Sequence, residues 1–402
     1  MLKVFGSHDE GTLSQIRSCL DAGGVRAVLC ADGHKGYSQP VGGVVAYEGM
    51  VSISGVGYDI ACGNMACKTD AKLSDIQPHI DRIMDDVVAQ ISFGVGRTND
   101  TPIEHALFDH PDWSFLDGFS AAHPQHPTRT VTISRQKAKA QLGTVGSGNH
   151  YVDIFADEND TVWVGVHFGS RGLGHSTATA FLWKAGGVDG MDVPPTLVEE
   201  GSELGQSYIR AMELAGLYAY AGREYVCRHV ARNILGAQII DEVHNHHNFA
   251  WKETHFGRDL WVVRKGATPA FPGQRGFVGG SMGDDAVIIE GVDSELSRES
   301  LYSTVHGAGR VMSRTAARGR FVRDENGKKQ RQPGLVRHDE MMKWVHEKGV
   351  CLRGADLDEA PQAYRRLPEV LREHEGTIRI LHTLRPIGVA MAGKDIFDPY
   401  KD

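Results

Sequence analysis

The segment VGGVVAYEGMVSISGVGYDIACG, residues 41–63, limits the fold more than any other stretch. Val44 and Ala46, then Val51 and Ile53, alternate with a period of two, the spacing of residues on one face of a β-strand. Glycine breaks the run every few positions, so the strands must be short and joined by tight turns. Other stretches carry a helical period. SDIQPHIDRIMDDVVAQI predicts an amphipathic helix starting near Ser74 or Asp75. Residues 202–235 predict a long helix, interrupted at most at Gly205, Gly216 and Gly222. SRQKAKAQLGTVGSGNHYVDIF should pass from a short helix through a glycine loop into a strand. TVWVGVHFGSRGLGH should be a strand ending in a glycine loop. DLWVVRKGATPAF and AVIIEG predict further strands, PQAYRRLPEVLREHEG a C-terminal helix, and IRILHTLRPIGVAMAG a last strand. These elements interleave without the even spacing of βαβ units, which favours an α+β fold over a doubly wound sheet. There is no internal repeat and no low-complexity linker. We expect one large mixed domain over residues 1–402, with surface insertions near 97–130 and 318–335.

Composition narrows the function. The formal net charge of −8 argues against a protein that lives on non-specific nucleic-acid affinity, although it leaves room for a local basic pocket. The 48 glycines are scattered through polar and apolar runs alike, as turns and close-approach loops are. Cys19, Cys30, Cys62, Cys67, Cys227 and Cys351 form no CxxC pair, which fits free thiols in a reducing compartment. With no basic flank and apolar core at the N-terminus, and no apolar run of membrane-spanning length, the expected location is the cytoplasm.

Five stretches carry chemistry. In GVGYDIACG, Asp59 and Cys62 offer a hard carboxylate and a soft thiolate three residues apart, a donor pair suited to Zn²⁺, Fe²⁺ or Mn²⁺. The same pair also fits a buried structural cysteine beside a turn-capping aspartate. In GTVGSGNHYVDIF, Asn149 and His150 follow three glycines that let backbone approach a bound group. In TVWVGVHFGSRGLGH, Val162, Val164 and Val166 should face one way, with Trp163, Gly165 and His167 facing the other. Gly165 should leave open space beside His167, and GSRG with Arg171 should cradle an anion. VHNHHNFAW holds three histidines in four positions. In a strand His244 and His246 share a face and His247 takes the other; in a helix His244 and His247 pair instead. No regular backbone aims all three at one ion, so one is expected to bind and the others to stand behind it or face solvent; spacing does not choose which. In VHGAGRVMSR, His306 precedes a glycine loop, and Arg310 and Arg314 could share a helical face. Histidine, glycine loop and guanidiniums suit phosphoryl or nucleotidyl transfer, with histidine as nucleophile or acid. GVAMAGKD, 388–395, nearly spells a phosphate-binding P-loop, but Asp395 stands where Ser or Thr is needed, and Pro399 follows where the motif needs a helix.

Taken together, GVGYDIACG, GTVGSGNHYVDI, VHFGSRGLGH, HHNFA, RKGATPA, GGSMG and HGAGRVMSR make the chain resemble the RtcB-type RNA ligases over nearly its whole length. These join an RNA 3′-phosphate or 2′,3′-cyclic phosphate to a 5′-hydroxyl. The resemblance implies an RtcB-like fold around a central metal-binding cleft holding two Mn²⁺. Cys62 would bridge, with Asp59 and His150 on one ion, and His167 and His247 on the other; the family's histidine directly precedes the asparagine that is Asn248 here. His306 would take GMP from the co-substrate GTP. Asn149, Asp153, Asn248, Gly279, Gly280, Ser281, Met282, Gly307, Ala308 and Gly309 match guanylate-binding positions. Arg171, Arg310 and Arg314 would hold RNA phosphates. The implied partners are RNA ends, with room for an activating protein and no membrane. The chain departs from the family in three places. Asp153 replaces a usual glutamate. Asp284, Asp285 and Ala286 follow GSMG where a hydroxyl or basic residue is usual. Ala392 takes the place of a guanine-contacting lysine, with Lys394 close by. Alternatives are a paralogue that guanylylates RNA or DNA 3′-phosphates without sealing, a metal-dependent phosphodiesterase, and a non-catalytic RNA-end binding protein.

Overall fold

The computed structural model describes residues 1–323 and 329–393. In chain order, the strands of its two larger sheets are β1 (Leu2–Val4), β2 (Arg26–His34), β3 (Val41–Tyr47), β4 (Gly63–Lys72), β5 (Tyr151–Ala156), β6 (Thr161–Phe168), β7 (Ile239–His246), β8 (Asn248–His255), β9 (Arg258–Lys265), β10 (Arg275–Val278), β11 (Ala286–Gly291) and β12 (Ile378–Met391). The helices used below are α1 (Glu10–Asp21), α2 (Ile80–Gln90), α3 (Arg171–Lys184) and α4 (Glu203–His229).

The smaller sheet runs β1-β2-β3-β9-β8 and the larger β7-β4-β6-β5-β12-β11-β10, with Cys351–Arg353 alongside β12. Most pairs are antiparallel: β8 with β9 and β5 with β6 are joined by short turns, whereas β3 with β9 and β4 with β6 pair across long stretches of chain. The larger sheet nearly closes on itself. Asn64 on β4 donates its side-chain amide to the Phe277 carbonyl of β10 (2.8 Å), and the Phe277 N–H donates to Asn245 Oδ1 on β7 (2.9 Å). Side-chain amides thus complete hydrogen bonds that two sheet edges would otherwise leave open.

The valines of β6 face a core shared with Ile80, Ile83, Met84 and Val87 of α2. Trp163, on the other face, fills the inside of the curled sheet with Phe155, Phe277 and Ile288. Trp163 is fully buried, and truncating it to alanine would cost about 3–5 kcal/mol. The space expected beside Gly165 is absent: a Cβ there would strike the rings of Phe155 and Phe277. The glycine makes room for aromatic packing, not for a ligand.

Several elements differ from their sequence patterns for local reasons. The helix expected from Ser74 breaks into Leu73–Ile76, a tight turn at Gln77–His79 and α2, because Pro78 has no N–H to continue the ladder. Ile53 leaves the strand pattern and opens a helical turn capped by Ser52. The glycine loop expected after Phe168 is only two residues long, and α3 begins at Arg171. Gly174 lies inside α3 because a Cβ would collide with Ser170 and the backbone of Ile60. Arg310 precedes the helix Arg314–Arg318, so the two arginines share no helical face. The C-terminal helix shrinks to Leu367–Arg372, with Pro368 in its first turn. The long helix is α4, capped by Ser202 and extended by a wider turn at Val230–Ile234.

Two hairpins fall in the stretches expected as insertions: Ser120–His123 with His126–Thr132, and Gly319–Arg323 with Lys329–Pro333. Residues 324–328, Lys394 and Asp395 lie outside the described residues. Gly388–Met391, which opens the P-loop-like segment, is the end of β12. Among the described residues no helix is long and apolar enough to cross a membrane.

Candidate functional site

A cavity of about 810 Å³ opens where the two sheets meet. Its position follows from one residue. His247 is the only residue between β7, the edge of the larger sheet, and β8, the edge of the smaller. Because β7 is extended through His246, His244 and His246 point one way and His247 the other. Of the two backbone alternatives, the strand holds.

His247 faces the cavity. Its N–H donates to the Cys62 carbonyl (2.8 Å), tying the sheet-switching residue to the turn that precedes β4. Cys62 Sγ lies 3.3 Å from His167 Nε2 and 3.7 Å from His150 Nε2, and His167 Nε2 lies 3.4 Å from His247 Nε2. His150 Nε2 also meets Asp59 Oδ2 at 3.0 Å. Cys62 is therefore within reach of both an Asp59–His150 pair and a His167–His247 pair. Gly169 permits this crowding, since a Cβ there would overlap the Asp59 carboxylate.

This donor set fits a divalent cation. The Asn149 carbonyl only accepts, so His167 must carry a proton on Nδ1 (3.0 Å), and in the neutral ring the Nε2 lone pair points at Cys62 and His247. Burial, reinforced by the charges of neighbouring histidines, holds His167 and His247 well below the usual imidazole range, so their lone pairs are free at neutral pH. Burial pushes the Asp59 carboxyl up, but hydrogen bonding and charge from His150 outweigh it and bring it down to about 2. Burial, with the Asp59 carboxylate beside it, pushes the Cys62 thiol well up. A cation among these atoms would favour the thiolate and relieve the facing lone pairs.

His306 stands next to this cluster, its ring centroid 4.9 Å from that of His247. Its Nδ1 donates to Asp32 Oδ2 at 2.6 Å, and the same oxygen accepts from the N–H groups of His306 (3.0 Å) and Gly307 (3.3 Å). Burial pushes the Asp32 carboxyl up, yet His306 outweighs this and leaves it below the ordinary value. With the Nδ1 proton directed at the Asp32 carboxylate, Nε2 is the ring atom left to act on a ligand.

The remaining expected residues divide. Asn149, Asn248, Gly279, Gly280, Ser281, Met282, Gly307, Ala308 and Gly309 line the cavity, and so does Asp153. Burial holds the Asp153 carboxyl well above the usual carboxylate range. Asn248 spends its side-chain oxygen on the Gly266 N–H (2.6 Å). Arg310 and Arg314 also line the cavity, but each is engaged. Arg310 donates to Tyr364 OH (2.8 Å), and Arg314 pairs with Asp358 (3.1 Å) and Glu359. Arg171 donates to the Gly94 carbonyl (3.2 Å). Asp284 turns to Ser281 (2.8 Å) and Arg366 (2.9 Å), and is not among the cavity-lining residues.

Sequence reasoning missed Asp32 and Lys265. Asp32 ends an apolar run just before Gly33, the one local sign that it serves something other than a surface turn. Lys265 closes the apolar run of β9; burial lowers its amine to about 8, and it donates to the Tyr37 carbonyl (2.5 Å) at the cavity wall.

Comparison with known proteins agrees with this geometry. The family described as tRNA-splicing ligase RtcB matches residues 15–392. The chain belongs to the RtcB family. It is 29% identical to the RNA-splicing ligase RtcB of Escherichia coli K12 over 381 residues, 89% of this chain and 87% of that protein. It is 30% identical to the tRNA-splicing ligase RtcB of Thermococcus kodakarensis, over 90% and 87% of the two chains. The corresponding protein of Archaeoglobus fulgidus is also 30% identical, over 91% and 87%. The residues that the resemblance implies for metal and those it implies for nucleotide line one cavity in this chain.

Proposed function

We propose that this chain is a GTP- and Mn²⁺-dependent RNA ligase that joins a 3′-phosphate or 2′,3′-cyclic phosphate end to a 5′-hydroxyl end. The observation that carries the reading is the seating of His306: an Asp32 carboxylate on Nδ1, and the His247–His167–Cys62 cluster alongside. Nε2 of His306 displaces pyrophosphate from the α-phosphorus of GTP and forms a phosphoramidate to GMP. An oxygen of the RNA 3′-phosphate then attacks that phosphorus, frees His306 and leaves the end capped as a diphosphate. The 5′-hydroxyl attacks the RNA-side phosphorus, GMP departs, and the phosphodiester is made. A cyclic end is first opened by water. Bound divalent ions would neutralise the phosphate oxygens throughout, held by Cys62 between Asp59–His150 and His167–His247. Arg171, Arg310 and Arg314 are proposed for the RNA phosphates, and the chain is read as a cytoplasmic domain over 1–402 with insertions at 97–130 and 318–335.

The test is incubation of the purified protein with Mn²⁺ and GTP labelled at the α-phosphate. The expected product is an acid-labile protein–GMP adduct, lost in His306→Ala, and sealing of RNA carrying a 3′-phosphate and a 5′-hydroxyl. Phosphodiester hydrolysis with no adduct would overturn the reading. An adduct that caps 3′-phosphates without sealing would replace it by end guanylylation.

A further inference from the structure

Behind the metal-ligating side chains lies a cluster that the reaction above does not use. Arg223, on α4, is fully buried. It contacts three separate segments of chain. Nη1 donates to the carbonyls of Ala61 (2.9 Å) and Phe168 (2.6 Å), Nη2 to His246 Nδ1 (2.8 Å), and Nε to His244 Nε2 (2.8 Å). Ala61 precedes Cys62, Phe168 follows His167, and His246 precedes His247. Each of these segments thus presents a candidate ligand to the cavity on one side and an acceptor to Arg223 on the other.

We infer that Arg223 is the positioning residue that sets the separation of Cys62, His167 and His247, and hence the affinity of the site for divalent cations. A buried guanidinium is costly unless its donors are filled. Here both Nη1 hydrogens, the Nε hydrogen and one Nη2 hydrogen are filled, all by neutral acceptors. Tyr220, one helical turn earlier, packs its ring on His246 (centroids 3.9 Å apart) and His244 (4.2 Å), so the two acceptor rings cannot rotate away. A planar fork holds its acceptors at fixed angles, which an ammonium cannot do. The arrangement also accounts for the histidine cluster: His247 faces the cavity, while His244 and His246 orient the fork.

The inference rests on the metal part of the proposed function and on none of its nucleotide chemistry, so the test reads metal alone. Co²⁺ is titrated into the metal-free protein and followed by calorimetry and by the thiolate-to-cobalt absorption band. Wild type should bind tightly and show the band. Arg223→Lys, shown to be folded by circular dichroism, should bind Co²⁺ ~10–100-fold more weakly with an altered band. His246→Ala, which removes the Nη2 acceptor next to His247, should lie between the two and keep most of the thiolate band, since Arg223 Nη1 still holds the Ala61 carbonyl beside Cys62. Should Arg223→Lys not fold, His246→Ala decides: a folded variant with wild-type affinity and band overturns the inference, as does a folded Arg223→Lys that behaves like wild type. Absence of Co²⁺ binding by the wild type would overturn the metal centre itself.

Discussion

The cavity has two walls of opposite character. On one, Cys62, His167 and His247 bring a thiol and two imidazoles together, a donor set that fits a divalent cation. On the other, Arg310 and Arg314 meet Tyr364, Asp358 and Glu359, so every positive group already has a partner within the protein. On the proposed reading the first wall works only as a set of ligands drawn from separate segments, and should respond to deletion in an all-or-none way. The second is complete by itself, and deletion there should cost stability first and ligand binding second. Both carry residues that suit phosphate chemistry on paper; only the hydrogen-bond partners separate them.

The sharpest break of this contrast is Cys62→Ala. On the proposed reading a Cys62 thiolate is shared between Asp59–His150 and His167–His247, so its loss should abolish cation binding at both positions and adduct formation with it; Cys62→Ser should be nearly as damaging. Elemental analysis showing both ions at full occupancy would disprove the shared-ligand assignment. His247→Ala should also lose metal, whereas His244→Ala, which removes only the Nε acceptor of Arg223, should weaken metal binding mildly. Its main cost should appear as stability, about 1–3 kcal/mol in a denaturant titration, because the Nε–H of buried Arg223 loses its acceptor. Equal loss of metal from both would mean that the two faces of the strand act as one unit.

Asp32→Asn tests the groove between the walls. The carboxylate fixes the proton of His306 on Nδ1; an amide can present N–H instead and favour the wrong tautomer. Adduct formation should slow by ~10²–10⁴-fold with metal content unchanged. A parallel fall in bound metal would place Asp32 in the metal wall.

How much of this could be seen in the sequence depends on where each partner lies in the chain. The strands around residue 41, the long helix α4 and the valine and tryptophan faces of β6 follow from patterns within a dozen residues. His247 could be chosen only through the family resemblance, because spacing alone allows two faces and the backbone decides which. Asp32 and His306 are 274 residues apart, and Arg223 is 162 residues from Ala61, so neither partnership leaves a local trace. The open space expected beside Gly165 is taken by Phe277, more than a hundred residues away, for the same reason. Pro78 and Pro368 were visible, but the helical period around them suggested longer helices than a chain lacking those N–H groups can sustain.

The arginine wall should respond more gently. Glu359→Gln leaves Arg314 with Asp358 alone and weakens its hold on Arg310. We expect a loss of about 1–3 kcal/mol of stability together with tighter binding of inorganic phosphate, since a guanidinium is released toward the cavity. Unchanged phosphate affinity in a destabilised variant would make this wall a purely structural pair, and would remove Arg310 and Arg314 from the proposed RNA contacts.

The smallest effect belongs to Asp284. In sequence it stands where the family usually has a hydroxyl or basic residue, which suggests a carboxylate reading the guanine edge. The structure turns it away: Oδ2 accepts from Ser281 Oγ and pairs with Arg366, whose side chain is about one-third exposed. Asp284→Asn should therefore leave the preference for GTP over ATP flat, measured as His306 adduct with each nucleotide side by side. Its stability cost should stay within about 1 kcal/mol, the scale of a partly exposed ion pair. A selective loss of about 1.5–3 kcal/mol of GTP preference, the size of a hydrogen bond to a charged group, would require the loop Gly279–Asp285 to rearrange around the base. Ser281, which lines the cavity and holds Asp284 by its hydroxyl, would then be the hinge, and Ser281→Ala should reproduce the same loss.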